Sequence, residues 1–293
     1  MIMASRLPLY CPGHCKSPSG RLQLRHSPAK VLAVLLTQTL MDNEAMELPK
    51  EAVYSHWRQR FAWWLHYLKA RQNPKERPRV RRLAGFIPEG GVIFDVGAHF
   101  GYLAKEFAVI HNGSCMVHCF EPVPYTRSIL ERVVDRFQNV HIESRALSNQ
   151  AGHMKLSIPI KESGRLGIGL AHFGDEVRRD YIVEPVETLT LDAYVAEQGL
   201  ARLDFVKMDV EGAEFQILQG AEKTLKELQP HVYCELISTS TARMGYKPET
   251  VFDFLTNLGY RAAVIERSGE KRPVEGLIEG EEDYLFYPER AEK

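Results

Sequence analysis

The chain has 293 residues, of which 44% are hydrophobic and 26% charged, a balance that lets one elaborated domain with an extension bury a sizeable core. Lysine and arginine number 37 against 38 for aspartate and glutamate, which excludes a global field pulling the whole molecule toward nucleic acid or membrane. The five cysteines are odd in number and form no disulfide-like framework, so they read as free thiols in a reducing compartment.

From the N-terminus, Cys11-Pro-Gly-His-Cys15 offers soft ligands but no second pair at zinc-site spacing, and no metal site is assigned there. The apolar run from Val31 to Leu36 is far short of the roughly 20 residues that cross a bilayer, and no small-residue cleavage pattern follows it. Residues 1–53 lack periodicity and predict a loosely ordered extension, in which Met41 and Met46 are alternative starts. Residues 54–83 predict an accessory segment. Its first half is a helix dense in aromatics (Trp57, Phe61, Trp63, Trp64, Tyr67); its second is basic and broken by Pro74 and Pro78. Residues 84–293 then alternate strand and helix patterns, the signature of a mostly parallel α/β sheet covered by helices on both faces. Seven strands are predicted, over 92–96, 115–120, 140–146, 205–208, 232–236, 260–265 and 283–287, the last one antiparallel. Helices are predicted over 102–110, 124–137, 211–228 and 248–258.

The run Ile93-Phe94-Asp95-Val96-Gly97-Ala98-His99-Phe100-Gly101 is an apolar strand entering a glycine-punctuated turn and then a helix. Gly97 and Gly101 remove Cβ atoms where backbone must approach a ligand, and the helix start presents unpaired N–H groups. Ala98 and His99 occupy the middle of the turn, so the third glycine of a dinucleotide fingerprint is misplaced, which weighs against NAD. Glu121, 26 positions after Asp95 at the end of the next strand, is placed to accept hydrogen bonds from both hydroxyls of a ribose. Asp95 belongs to the same site or caps the turn backbone. These features alone leave a nicotinamide-dependent oxidoreductase and a non-catalytic Rossmann-like interaction protein as alternatives to other nucleoside-binding enzymes.

Five stretches in order then carry a resemblance: Phe94 to Tyr102, Phe120-Glu121-Pro122, Ala146 to Gly152, Thr188 to Asp192, and Leu203-Asp204-Phe205-Val206-Lys207-Met208-Asp209-Val210-Glu211-Gly212-Ala213-Glu214 with Leu218-Gln219-Gly220-Ala221. Over about Gly91 to Leu236 the chain resembles the FkbM family of S-adenosylmethionine-dependent methyltransferases; residues 1–83 lie outside the likeness. The resemblance implies a Rossmann-like class I methyltransferase fold, S-adenosylmethionine bound by Asp95, Gly97, Ala98, His99, Gly101 and Glu121, and methylation of hydroxyl oxygens on glycans or small metabolites. His99 departs from the asparagine more usual in the family, but both residue types are enriched at positive φ, so the same turn is expected.

Methyl transfer to oxygen needs alignment and a proton acceptor. Asp209, expected to end a core strand, and Glu211, expected to open the next helix, are the candidate catalytic acids, with helix capping as their structural alternative. Glu235 ends the neighbouring strand, and Glu214 reads as a cap. Clustered carboxylates coexist with the help of a proton or a divalent cation, so a cation remains an option. Lys207 reads as structural, its charge snorkelling toward polar neighbours. The irregular stretch between Pro159 and Pro185 reads as a lid whose His172 is a candidate base or an exposed, non-catalytic histidine. No basic surface extends beyond Lys69 to Arg82 and no aromatic-proline catalytic motif is present, so nucleic acid is not an expected partner. That basic run beside the aromatics predicts peripheral contact with an anionic membrane surface, for a cytoplasmic enzyme working at the inner membrane face.

Overall fold

The computed structural model describes residues 57–159, 172–173 and 181–289, with residues 57–60, 159, 172–173 and 181–182 described by backbone alone. Contacts divide the chain into Met1–Ala52 and Val53–Lys293. The extension over 1–53 and the Cys11 to Cys15 stretch fall outside the described residues, as does most of the expected lid.

Strand β1 (Val92–Val96) is buried along its whole length, as a central parallel strand covered on both faces must be. Its side chains alternate between two apolar clusters: Ile93 joins one, and Val92, Phe94 and Val96 join the other. Each fully buried Phe or Leu of these clusters contributes roughly 1.5–3 kcal/mol relative to exposure. Parallel to β1 run β2 (Met116–Phe120) on one side and β8 (Phe205–Met208) on the other; β3 (Val140–Glu143) extends beyond β2, and β9 (His231–Glu235) beyond β8. Next to β9 lies antiparallel β12 (Asp283–Pro288), then β10 (Tyr260–Ile265) and β11 (Lys271–Val274).

The main sheet therefore has eight strands in the order β11-β10-β12-β9-β8-β1-β2-β3, not the seven expected. The added strand is β11, an exposed edge reading Lys-Arg-Pro-Val, which lacks the apolar alternation that announces a strand. The strand expected over 140–146 splits after Glu143. Its last residues form β4 (Ala146–Leu147), which belongs to a second sheet of order β4-β7-β5-β6 built from β5 (Gly152–Pro159), β6 (His172–Phe173) and β7 (Tyr181–Leu189). The flanks of the expected irregular stretch are thus an antiparallel hairpin, with Gly152 opposite Thr188.

The helix expected over 211–228 is two helices, α6 (Glu214–Gln219) and α7 (Glu222–Glu227). They part at Gly220, where a Cβ would lie 2.2 Å from the Ser148 carbonyl oxygen, so the family motif's glycine admits the backbone after β4. Asp192, in α5 (Leu191–Glu197), accepts from Lys223 and Thr224 N–H and caps α7. The other helices are α3 (Ala104–Phe107), α4 (Pro124–Val134), α8 (Ser238–Arg243) and α9 (Pro248–Asn257). Only the centre of the helix expected over 102–110 is α-helical.

The accessory segment folds as α1 (Trp57–Gln72) and α2 (Arg77–Leu83). Tyr67, Ala70, Val80 and Leu83 are buried in the main core, and Trp63 Nε1 donates to Ser128 Oγ of α4 at 2.9 Å. Buried Lys105 donates to the Ala70, Arg71 and Asn73 carbonyls, satisfying the C-terminus of α1. The outer face of α1 shows Phe61, Trp64, Leu65 and Leu68, spaced to form one exposed stripe.

Candidate active site

Strand order reverses between β1 and β8, and the crevice outside their carboxyl ends is where open α/β sheets bind ligands. A cavity of about 340 Å³ lies there, walled by the turns after β1, β2 and β8. That volume falls in the range of about 300–1,000 Å³ typical of small-ligand sites.

The turn after β1 forms its floor. Gly97 has φ +73°, and a Cβ there would sit 2.0 Å from the Asp209 carbonyl oxygen, so only glycine lets the turns after β1 and β8 close on one another. His99 adopts φ 50°, the left-handed conformation expected of it, and its N–H donates to Glu121 Oε2 at 2.8 Å. Val123 N–H donates to Glu121 Oε1 at 3.0 Å. Burial pushes the Glu121 carboxyl up to about 7, against the pull of these two hydrogen bonds. Burial also drives the His99 imidazole down to about 4, so it is neutral at physiological pH. Two buried polar atoms of this wall, His99 Nε2 and Thr126 Oγ1, have no hydrogen-bond partner.

On the β8 side, Lys207 is buried and does not snorkel. Its Nζ lies 3.1 Å from Asp95 Oδ1 and 3.9 Å from Asp209 Oδ2, and it donates to the carbonyls of Val96 and Gly97 at 3.2 and 3.0 Å. Desolvation lowers its proton affinity, but Asp95 and Asp209 more than compensate, and its pKa is raised. Asp209 lies just past the end of β8 and faces the cavity. Glu211 does not open a helix: it sits in the turn before α6 with φ 53°, a strained conformation for its type. Its Oε2 meets Arg243 at 3.2 Å and accepts from Ser240 Oγ at 3.4 Å, while burial and Asp209 raise its pKa. Glu214 accepts from Val210 and Gly212 N–H and from the Tyr246 hydroxyl, closing the turn as a cap.

The fold thus brings Gly97, Ala98, His99, Glu121, Asp209 and Glu211 to one cavity. Two expected contacts are displaced. Asp95 is fully buried beneath the turn and reaches the site through Lys207 rather than by lining it. Gly101 faces α4, where a Cβ would meet Leu130 at 2.8 Å, so its role is helix packing. His172 pairs by backbone with Ser157 in the second sheet, and its side chain lies outside the described ones. Among the described residues no three His, Cys, Asp or Glu side chains are grouped to hold a metal; Lys207 and Arg243 stand beside Asp209 and Glu211 instead.

Sequence reasoning missed Thr126, Lys207, and Glu76 and Arg79 of the accessory segment, all of which line the cavity. Arg79 pairs with Asp283, hydrogen-bonds the Tyr233 hydroxyl at 3.2 Å and lies 3.9 Å from Glu76. Arg77 pairs with Glu106 at 3.0 Å. Of the basic run Lys69, Arg71, Lys75, Arg77, Arg79, Arg81 and Arg82, Arg77 and Arg79 are therefore paired with carboxylates of the main domain; Lys69, Arg71, Lys75 and Arg81 remain exposed.

The sequence profile described as "Methyltransferase FkbM domain" matches residues 95–262. The chain is 27% identical over 205 residues to 31-O-demethyl-FK506 methyltransferase FkbM of Streptomyces tacrolimicus, covering 61% of this chain and 76% of that protein. It is 28% identical over 154 residues to 2-O-methyltransferase NoeI of Sinorhizobium fredii, covering 49% and 62%. Among solved structures it is similar to Methyltransferase FkbM from Methylobacillus flagellatus, with TM-score 0.44, 14% identity, and coverage of 69% of this chain and 45% of that one.

Proposed function

Since the chain belongs to the FkbM methyltransferase family, we propose that it transfers the methyl group of S-adenosylmethionine to a hydroxyl oxygen of a small metabolite or glycan. The observation that carries this reading is the cavity at the strand-order reversal, with Glu121 at the end of β2 on one side of the side-chain-free Gly97 and Asp209 past the end of β8 on the other. The residues present suit the donor. Glu121 has lone pairs left for ribose hydroxyls, Gly97 admits a ligand against backbone, and Thr126 Oγ1 and His99 Nε2 offer unused hydrogen-bonding capacity. The misplaced third glycine and the family together favour this donor over a nicotinamide. Bound there, S-adenosylmethionine supplies a methyl group on a positively charged sulfur.

The rest of the work falls to the chain's own carboxylates. Asp209 accepts the acceptor's hydroxyl proton, with Lys207 holding its carboxylate toward the cavity. Glu211, fixed by Arg243 and Ser240, orients the acceptor. His172 is the remaining candidate base, from β6 of the second sheet. A hydroxyl acceptor is favoured by the names of the two relatives, both O-methylations. No described helix is long and apolar enough to cross a membrane. The stripe Phe61, Trp64, Leu65 and Leu68, with Lys69, Arg71 and Lys75 exposed beside it, supports peripheral contact of α1 with an anionic bilayer at the cytoplasmic face.

Calorimetric titration of S-adenosylmethionine into the full chain and its Glu121→Ala variant tests the donor assignment. Loss of hydrogen bonds to a charged group, about 1.5–3 kcal/mol, should weaken binding about 10-fold or more. Equal affinities in the two proteins would remove Glu121 from the site. A labelled-methyl transfer screen over hydroxylated metabolites and glycans then tests the acceptor class.

A further inference from the structure

Parallel pairing sets Met208 opposite Cys234, so the residues that follow, Asp209 and Glu235, stand side by side at the ends of β8 and β9. At neighbouring strand ends and half-buried, the two carboxyl groups are costly to ionise together, and one proton held between them relieves the repulsion. Asp283 of β12 stands opposite Glu235 on its other side. The cations facing this group are Lys207, which is shared with Asp95, and Arg79, which is shared with Asp283 and Glu76. His99, the remaining titratable neighbour of Asp209 on the floor, is neutral. Glu211 is held by Arg243. Five carboxylates (Glu76, Asp95, Asp209, Glu235, Asp283) thus face two cations, and the cluster is short of positive charge where Asp209 meets the cavity. Burial and the charges of Asp209 and Asp283 raise the Glu235 carboxyl to about 7, so the proton is poised to leave near neutrality. Fully buried Thr126, with its unpartnered Oγ1, marks the same cavity as one built for a polar ligand.

We propose that the Asp209–Glu235 pair senses the charge of the methyl donor: it holds one shared proton in the free protein, loses that proton to solvent when a sulfonium enters the cavity, and so becomes the base for the acceptor hydroxyl only once the donor is bound. The hydroxyl proton that Asp209 takes from the acceptor restores the shared proton, and the neutral thioether left after transfer gives the pair no charge that would expel it, so the product is held less tightly than the donor. Glu235 is a positioning residue here, acting through Asp209. The inference deepens the methyl-transfer reading and rests on it.

The test is calorimetry of S-adenosylmethionine and S-adenosylhomocysteine binding to the full chain at pH 7 in two buffers of different ionisation enthalpy, which yields the protons released. The donor should release about half a proton more than the product from the unmodified protein, the amount set by a group titrating near 7. In Glu235→Gln this excess should fall to the part contributed by the ligands' own amino groups. The same excess in both proteins overturns the proposal. Where the variant does not fold, infrared difference spectra of the unmodified protein decide. A protonated-carboxyl band lost on adding donor and kept on adding product supports the proposal; a band unchanged by either ligand overturns it. No binding heat with either ligand would overturn the donor assignment itself, and the proposal with it.

Discussion

Lys207→Met is the substitution that most directly tests the electrostatics under the active site. Lys207 and Asp95 are buried, with side-chain exposures of 2% and 0%, and the Lys207 ammonium 3.1 Å from Oδ1 is the cation that balances Asp95 among the described residues. Removing the ammonium leaves a buried, uncompensated carboxylate, a change that costs about 3–5 kcal/mol. It also strips a donor from the Val96 and Gly97 carbonyls. With a denaturant slope of about 3 kcal/mol per molar, the urea midpoint should fall by about 1–1.7 M. Adding Asp95→Asn to Lys207→Met removes the stranded charge, so the double variant should be more stable than the sum of the single effects by about 1–3 kcal/mol. The Lys207 pKa is raised on folding, so the stability it provides is fully present below the unfolded value and is lost only in strong alkali; the effect should be flat across neutral pH. A Lys207→Met loss under about 1 kcal/mol, or additive single effects, would refute a buried ion pair as the support of this floor.

Three further outcomes follow from the site. The Glu121 carboxyl is raised from 4.5 to about 7, so the folded state keeps a proton that the unfolded chain has released, and stability falls as pH rises from about 4.5 through 7. In Glu121→Gln the loss of stability between pH 5 and pH 8, read by urea unfolding of the ligand-free protein, should shrink by about 2.5 kcal/mol; an unchanged slope would show that the carboxyl is not perturbed. Asp209→Asn and Glu211→Gln should each lower kcat at least tenfold, a larger factor than the accompanying loss of donor affinity, measured once the transfer screen supplies an acceptor, and unchanged turnover in a folded variant returns that residue to a structural role. Phe61→Ser with Trp64→Ser should abolish sedimentation with anionic vesicles at low salt; the unmodified protein should bind and be released as salt shortens screening to about 10 Å at 0.1 M, and no binding at any salt refutes membrane contact.

The strands that carry the site were legible because each is buried on both faces and reads as an apolar run broken by a single charged residue, Asp95 or Lys207: Val92 to Val96 and Phe205 to Met208 have the same ends in sequence and structure. The hairpin of β5 and β7 was not, since Lys155, Glu184, Pro185 and Glu187 interrupt any apolar run. Gly97, Glu121 and Asp209 were recognisable from motif and strand-end position. Lys207 was not, because a lysine in an apolar strand gives no local sign of which carboxylates will meet it. The neighbours of Asp209 depend on strand order: Glu235 lies 26 residues later, and Arg79 arrives from a helix 130 residues earlier.

Glu76, the residue immediately before α2, and Arg79 within α2 are both part of the cavity wall. Arg79 is also the tie from α2 to β12, through Asp283. A ligand that touches this wall therefore binds more tightly when α1 and α2 are seated, and by thermodynamic reciprocity its binding holds them down by the same factor. Any partner that engages the outer stripe of α1 gains a lever on the cavity: one that seats the helix favours occupancy, and one that draws it away favours release. The outer stripe and the cavity would then be coupled through the wall residues Glu76 and Arg79.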